Sequence, residues 1–201
     1  MTDGFLRSED AAPMAPGLVA ALRGTELGVR RGTVEIAEPS PRWAQAFDGI
    51  VAALEPARPA EALAIEHIGS TSVPGLPAKP ILDLAIGQQP GSSPQPLHEW
   101  LMSAGLLYRG EADERRPDRI YALELEPGIR LVNVHVLDHG SDQWRRYLAF
   151  RDHLRHRRAD RDAYGALKRR IAREHPEDRF AYLQAKAAFI TARSTGLSSP
   201  G

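Results

Sequence analysis

The chain has 201 residues, sets 26 Lys and Arg against 26 Asp and Glu, and contains no cysteine. Zero net charge argues against a general nucleic-acid binder, which carries a basic excess, and the missing cysteines exclude disulfides and thiolate metal sites. With 42% hydrophobic and 26% charged residues the length suits one domain with its own core; no apolar run reaches the roughly 20 residues that span a bilayer and no secretory signal opens the chain, so a cytoplasmic protein away from membranes is expected.

Residues 1–31 mix Ala, Pro, Gly and charge without a sustained period. They read as a flexible arm with a short helix around Leu18–Leu22, and the tail 194–201 reads the same way. Thr33–Ala37, TVEIA, reads as a short strand. Pro39 and Pro41 then break the chain, and Ser40 is placed to cap a helix. In that helix Trp43, Phe47, Ile50 and Leu54 recur at helical spacing and form one apolar face.

Leu63–Ile68 is a buried strand that runs into Gly69-Ser70, and Ile81–Ile86 is the next strand. Alternation sends Leu82, Leu84 and Ile86 to the core, and Ile81, Asp83 and Ala85 to the other side. A polar loop over Gly87–Pro96 leads to a helix over Leu97–Ala104, stopped by Gly105. Leu106–Tyr108 reads as a short strand and Glu111–Asp118, EADERRPD, as a solvated charged loop. Arg119–Leu125 is a strand, Pro127-Gly128 a turn, and Leu131–Val136 the clearest strand of all. Its Val132, Val134 and Val136 face the core, while Asn133 and His135 face away. From Asp142 the pattern is helical, with helices expected over about 143–156, 160–173 and 178–192.

This order gives an α/β or α+β domain over 32–193: a mixed sheet to about residue 137 with helices on one face, then a helical part over 142–193. It is not a regular βαβ repeat.

The chemistry concentrates in His67–Ile86, HIGSTSVPGLPAKPILDLAI. Gly69, Ser70 and Thr71 form a tight turn after a strand, the kind of backbone that can cradle phosphate oxygens. A P-loop is excluded because Leu76 and Pro77, not Lys and Ser or Thr, follow Gly75; a G-x-G-x-x-G fingerprint is absent. Lys79 stands among prolines that restrict its backbone and is a candidate phosphate contact. Asp83, an acid among aliphatic neighbours, needs a partner and is the leading catalytic or metal-binding candidate. His135 shares its side of the sheet, and His67 adjoins the loop; both are candidate metal or acid–base groups. Arg151 and Arg155 share one helix face and Lys168 pairs with Tyr164 on the next helix, so basic groups could flank a phosphate.

Glu66–Leu84, EHIGSTSVPGLPAKPILDL, resembles the signature of the GrpB family. Trp43, the VHV at Val134–Val136, the FRDHLR at Phe150–Arg155, and the Tyr164/Leu167-Lys168 and Tyr182/Ala185-Lys186 patterns match in order, covering about Val29 to Ala192. The resemblance implies a nucleotidyltransferase-like mixed sheet flanked by helices, with Gly69-Ser70 as the Gly-Ser element and Asp83 as the first acid. It also implies Mg²⁺ or Mn²⁺ and a nucleoside triphosphate. The superfamily's second acid falls at Ala85, and its third has no carboxylate match near Asn133 and His135. A related domain occurs fused to an enzyme of coenzyme A synthesis.

Three readings stand open: a divergent nucleotidyl or phosphoryl transferase for a small molecule, a non-catalytic nucleotide or phosphometabolite binder, and an interaction or chaperone-like domain with a vestigial pocket. The proposed site requires Asp83 and His135 on one side of the sheet, within about 4–5 Å of each other, one metal-bridged distance.

Overall fold

The computed structural model describes residues 12–113, 116–124, 126–176 and 178–194. The elements are α1 (Pro16–Leu22), β1 (Val29–Arg30), α2 (Arg42–Leu54), β2 (Ala62–Ile68), β3 (Leu82–Gln88), α3 (Gln95–Ser103), β4 (Leu107–Asp113), β5 (Arg116–Glu124), β6 (Ile129–Asp138), α4 (Asp142–His156), α5 (Arg158–Glu174) and α6 (Arg179–Ser194). This is a mixed α/β fold on a six-stranded sheet ordered β2-β3-β6-β5-β4, with β1 paired to β6. Among the described residues only β3 and β6 run parallel; the other strand pairs are antiparallel.

The main core forms where strand alternation predicts it. Leu82, Leu84 and Ile86 of β3 and Val132, Val134 and Val136 of β6 point into one apolar layer with Trp43, Ala46, Ile50 and Leu54 of α2 and Leu97, Trp100 and Leu101 of α3. The Trp100 indole donates to the Leu54 carbonyl at 3.2 Å, which ties α3 to the end of α2.

Several expectations change. Residues 16–30 are not a loose arm: Leu18 and Leu22 of α1 join the core, Val29 pairs with Arg130, and a Cβ at Gly49 would crowd Ala21, so α1 lies hard against α2. Ala15 is also tied down, its N–H donating to the Ala104 carbonyl at 3.1 Å; residues 1–11 of the proposed arm and 195–201 of the proposed tail lie outside the described residues. TVEIA forms no strand. Val34 donates to Pro176, Ala37 makes an isolated bridge with Ala78, and Val34 and Ile36 pack on α5 and α6 instead. The presumed loop Glu111–Asp118 is mostly strand: β4 continues to Asp113 and β5 starts at Arg116, with Glu114 and Arg115 outside the described residues. Likewise β3 runs on to Gln88, so the following loop is shorter than expected.

Helices do not keep to one face. On the second face α4 brings Trp144 against Ile68, Ala85 and Leu137. The Pro-rich crossover is buried under the C-terminal helices, with Val73 and Leu76 packed on Leu154, Tyr164, Phe189 and Ile190. The rest of this second face stays open and carries the polar residues.

Candidate functional site

Strand pairing assembles the centre. In the β3–β6 register Asp83 lies beside Asn133 and Ala85 beside His135; in the β5–β6 register Ile120 lies opposite His135. All of these face away from the main core. The Asn133 amide donates to Asp83 Oδ1 at 2.8 Å, and His135 Nε2 stands 4.0 Å from the same oxygen. The expected closeness of Asp83 and His135 is therefore met, at ion-pair rather than hydrogen-bond distance.

Asp118, which the sequence placed in a solvated loop, is fully buried, and its Oδ2 lies 3.0 Å from His135 Nδ1. The Tyr147 hydroxyl of α4 donates to that same oxygen. His135 thus stands between two carboxylates. Burial alone would lower its pKa, but the Asp118 hydrogen bond and the Asp83 charge outweigh that and raise it to about 9. Asp83 is held below the usual carboxylate range: burial pushes it up, and His135, Asn133 and Lys186 more than offset this.

Gly69 explains the turn above Asp83. Its φ is +69°, and any Cβ there would overlap the Asp83 carboxylate. The glycine lets the loop cross directly over the acid.

The open face forms a cavity of about 480 Å³, within the range of small-molecule sites. Ser70, Lys79, Asp83, Asn133 and His135 line it. So do Arg30, Arg31, Arg109, Arg130, Tyr182 and Lys186, none of which the motifs singled out as site residues. Arg130 and Arg109 share Glu124, at 3.1 Å and 2.7 Å. Arg130 also donates to Asn133 Oδ1 at 2.7 Å, so a hydrogen-bonded chain runs from the arginines to Asp83. Lys79 donates to the Thr33 carbonyl at 2.8 Å, and Lys186 stands 5.0 Å over the Tyr182 ring.

Other candidates lie elsewhere. His67 pairs with Leu84 across the sheet and so faces the core side, stacked on Phe47 at 4.9 Å. Burial lowers its pKa to about 4, so it is a neutral packed ring remote from the cleft side of Asp83. Thr71 is buried, paired with His67 Nε2 at 3.0 Å, and braces the turn. Arg151 pairs with Glu66 at 2.7 Å and donates to the His67 carbonyl, while Arg155 grips the Ser72 carbonyl at 2.8 Å and 3.1 Å. These arginines hold the loop from behind and do not line the cavity. Lys168 is fully buried, 4.7 Å from the Tyr164 ring centre, and its Nζ has no hydrogen-bond partner among the described residues. Burial, with Lys186 and Arg169 nearby, holds its pKa well below the ordinary lysine value.

The donor set does not fit the two-ion arrangement that the resemblance implies. Ala85 is fully buried in apolar packing against α4, so no side chain there reaches an ion. Among the described residues no three His, Cys, Asp or Glu side chains are grouped to hold a metal. One carboxylate beside an imidazole is few donors for Mg²⁺, which takes an oxygen octahedron. No described helix is long and apolar enough to cross a membrane.

A family model described as GrpB protein matches residues 33–194. A UPF0157 protein of Pseudomonas aeruginosa is 37% identical over 156 residues, which is 76% of this chain and 63% of that protein, so the chain spans under two thirds of this relative. A UPF0157 protein of Deinococcus radiodurans is 36% identical, covering 78% of this chain and 79% of the relative. A protein of Mycolicibacterium paratuberculosis named Dephospho-CoA kinase is 31% identical, over 79% of this chain but 44% of its own length. Among solved structures, that of conserved protein GrpB from Enterococcus faecalis superposes with a TM-score of 0.66 at 29% identity, covering 79% of this chain and 99% of that one.

Proposed function

The chain belongs to the GrpB family, and from that premise we propose that its cavity binds a phosphorylated small molecule of nucleotide size. One observation carries the reading. In a chain of zero net charge, Arg30, Arg31, Lys79, Arg109, Arg130 and Lys186 converge on a single cavity whose carboxylates are Asp83 and Glu111. Such a lining concentrates positive potential and selects anions. The relative named Dephospho-CoA kinase supports a phosphorylated nucleotide derivative as the ligand class.

At the centre of the cavity Asp83 accepts protons and protonated His135 donates them, side by side on neighbouring strands. A nucleotidyl or phosphoryl transfer can use this pairing, the carboxylate as base for the incoming hydroxyl and the imidazolium as a charge or proton donor to the transferred group. In this reading Asp118, itself held by the Tyr147 hydroxyl, fixes the imidazole at Nδ1, so Nε2 faces the reacting group. The nucleotidyltransferase-like layout that the family resemblance implies, with a Gly-Ser turn before the Asp83 strand, agrees with this reaction class. A non-catalytic binder remains the second reading, favoured by the apolar packing around Ala85, which takes the place of a second acid.

Calorimetric titration with ATP, pyrophosphate and dephospho-CoA tests the proposal, each with Mg²⁺, with Mn²⁺ and with a chelator. Saturable binding of at least one compound is expected, weakened as salt is raised. Asp83→Ala should tighten metal-free binding, because it removes a negative charge from an anion site. Absence of binding to every compound in every condition overturns the proposal. Binding with no product formed from any acceptor leaves the binder.

A further inference from the structure

We infer that Leu183 of α6, with Ile81 just before β3, forms a subsite for an uncharged heteroaromatic ring on the ligand, and that Leu183 sets a preference for ring-bearing phosphates over sugar phosphates. This rests on the anion-binding reading above and adds to it the residues that recognise the uncharged part of the ligand.

Among the described residues two large hydrophobic side chains are left exposed, Leu63 at 44% and Leu183 at 45%. Leu63 belongs to β2, while Leu183 lines the cavity. Other apolar residues of α6 do pack: Tyr182 and Ala185 against Val34 and Ile171, and Phe189 and Ile190 against Val73 and Leu76. Leu183 takes no part in either cluster. Helical spacing sets it one turn from Lys186, about 5–6 Å between Cβ atoms, and both side chains line the cavity. Lys186 stands 5.0 Å over the Tyr182 ring and Lys79 stands 5.9 Å from the same ring, so α6 meets the crossover there. Two residues beyond Lys79, Ile81 donates to the Lys79 carbonyl at 2.7 Å; it is half-buried and lines the cavity. Ile120, also half-buried, lines it opposite His135. Aliphatic surface thus faces the cavity from the helix and from the sheet.

A single exposed leucine is ordinary on a protein surface. Here three aliphatic side chains share one concave site with the cations, and covering them gains free energy in proportion to the area removed from water. The group that covers them must be apolar on its faces, because Leu183 and Ile81 offer no hydrogen bond. It must be polar at its edge, because Asp83, Asn133 and Lys186 border the same space. A heteroaromatic ring has both properties. An alkyl chain lacks the polar edge. A sugar carries hydroxyls on its faces, and against aliphatic carbon these lose their partners. A cavity of about 480 Å³ has room for the ring and a phosphate together.

The test compares adenosine 5′-monophosphate with ribose 5-phosphate by calorimetry, in wild type, Leu183→Ser, Leu183→Met and Lys186→Gln. Leu183 is exposed and outside the packed clusters of α6, so its replacement spares the fold, and melting curves check each variant. Wild type should bind the nucleotide at least about tenfold tighter than the sugar phosphate. Leu183→Ser should weaken the nucleotide by about fivefold, leave the sugar phosphate unchanged, and keep the salt dependence of nucleotide binding, since no charge is altered. Leu183→Met, which keeps the apolar surface, should stay within about twofold of wild type. Lys186→Gln should instead weaken both probes alike and flatten the salt dependence. Equal wild-type affinity for the two probes, a Leu183→Ser profile that matches Lys186→Gln, or a Leu183→Met variant as weak as Leu183→Ser overturns the ring subsite and leaves the anion site standing. Sedimentation showing a wild-type dimer that Leu183→Ser dissolves also overturns it, by making the leucine a contact between copies. No binding of either probe overturns both readings.

Discussion

The two faces of the central sheet are built from the same strands and do opposite work. On one face Leu82, Leu84, Ile86, Val132, Val134 and Val136 close against α1, α2 and α3 with almost no exposed surface. On the other, one residue away in each case, Asp83, Asn133 and His135 face a charged cavity. A period of two is enough to separate folding from chemistry. The apolar face gains stability by excluding water, while the polar face pairs every central group with another, Asp83 with Asn133 and His135 with Asp118. Substitutions on the first face should therefore cost stability and leave surviving binding intact; those on the second should change binding and pH response.

The largest stability effect is expected on the apolar face. Leu84→Ala removes a fully buried side chain and should cost about 2–5 kcal/mol in urea unfolding. The refolded fraction should keep its anion affinity. A cost below about 1 kcal/mol would show that this face is not the core.

Next comes Lys168, an exception to the division, since it is polar, fully buried and has no hydrogen-bond partner for its Nζ among the described residues. Lys168→Met should stabilise the protein by about 1–4 kcal/mol at neutral pH, as apolar replacements of buried charged groups often do. The sign follows from linkage. The folded pKa lies below the unfolded value, so the unfolded chain binds the extra proton and stability falls as pH drops through that interval. The variant should therefore show a flatter stability profile on the alkaline side. Destabilisation together with loss of anion binding would instead make Lys168 part of the site.

His135 on the cavity and buried His67 give smaller, opposite pH effects. His135 is raised to about 9, so its stabilisation is complete below pH 6.5 and fades as pH rises from 6.5 to about 9. His67 is lowered to about 4, so its contribution is complete above pH 6.5 and is lost as pH falls toward 4. Asp118→Asn should bring the His135 titration down toward neutrality and leave His67 unchanged, as read by ring NMR. A His135 titration that does not move would show that Asp118 does not hold it.

The smallest effect is expected at the loop support. Arg155→Ala removes two bonds to the Ser72 carbonyl from a partly exposed helix side. It should lower stability by about 1–2 kcal/mol and weaken anion binding only slightly, because Arg155 does not line the cavity. An affinity loss as large as that of Lys186→Gln would return Arg155 to the site.

Local pattern made half of this division readable in the sequence. Alternation in LDLAI and LVNVHV placed Asp83, Asn133 and His135 together, because a strand's faces depend only on residue parity. The spacing of Trp43, Ile50 and Leu54 likewise marked the buried side of α2. Tertiary choices were hidden. Asp118 sits in the run EADERRPD, where charge density suggests solvent; extending the strand back from Arg119 by one residue would have placed it on the side of Ile120, opposite His135. His67 looked like a site residue because it adjoins the loop, yet its parity with Leu84 sends it to the core. Arg31, Arg109, Arg130 and Lys186 come from four separate elements or loops, and nothing local marks cations that meet only after the sheet and α6 assemble. TVEIA looked like a strand because its residues suit one; Val34 and Ile36 pack on Ile171 and Tyr182 of the C-terminal helices instead.

The most direct test of the polar face as an anion site is the ring ¹⁵N spectrum of His135 during titration with a nucleotide, assigned with His135→Gln and compared with His67 and His98. Saturable movement of the His135 signals, with those of His67 and His98 unmoved, is the predicted result. Nucleotide binding that leaves His135 still, or that moves His98 on the opposite face instead, would contradict it.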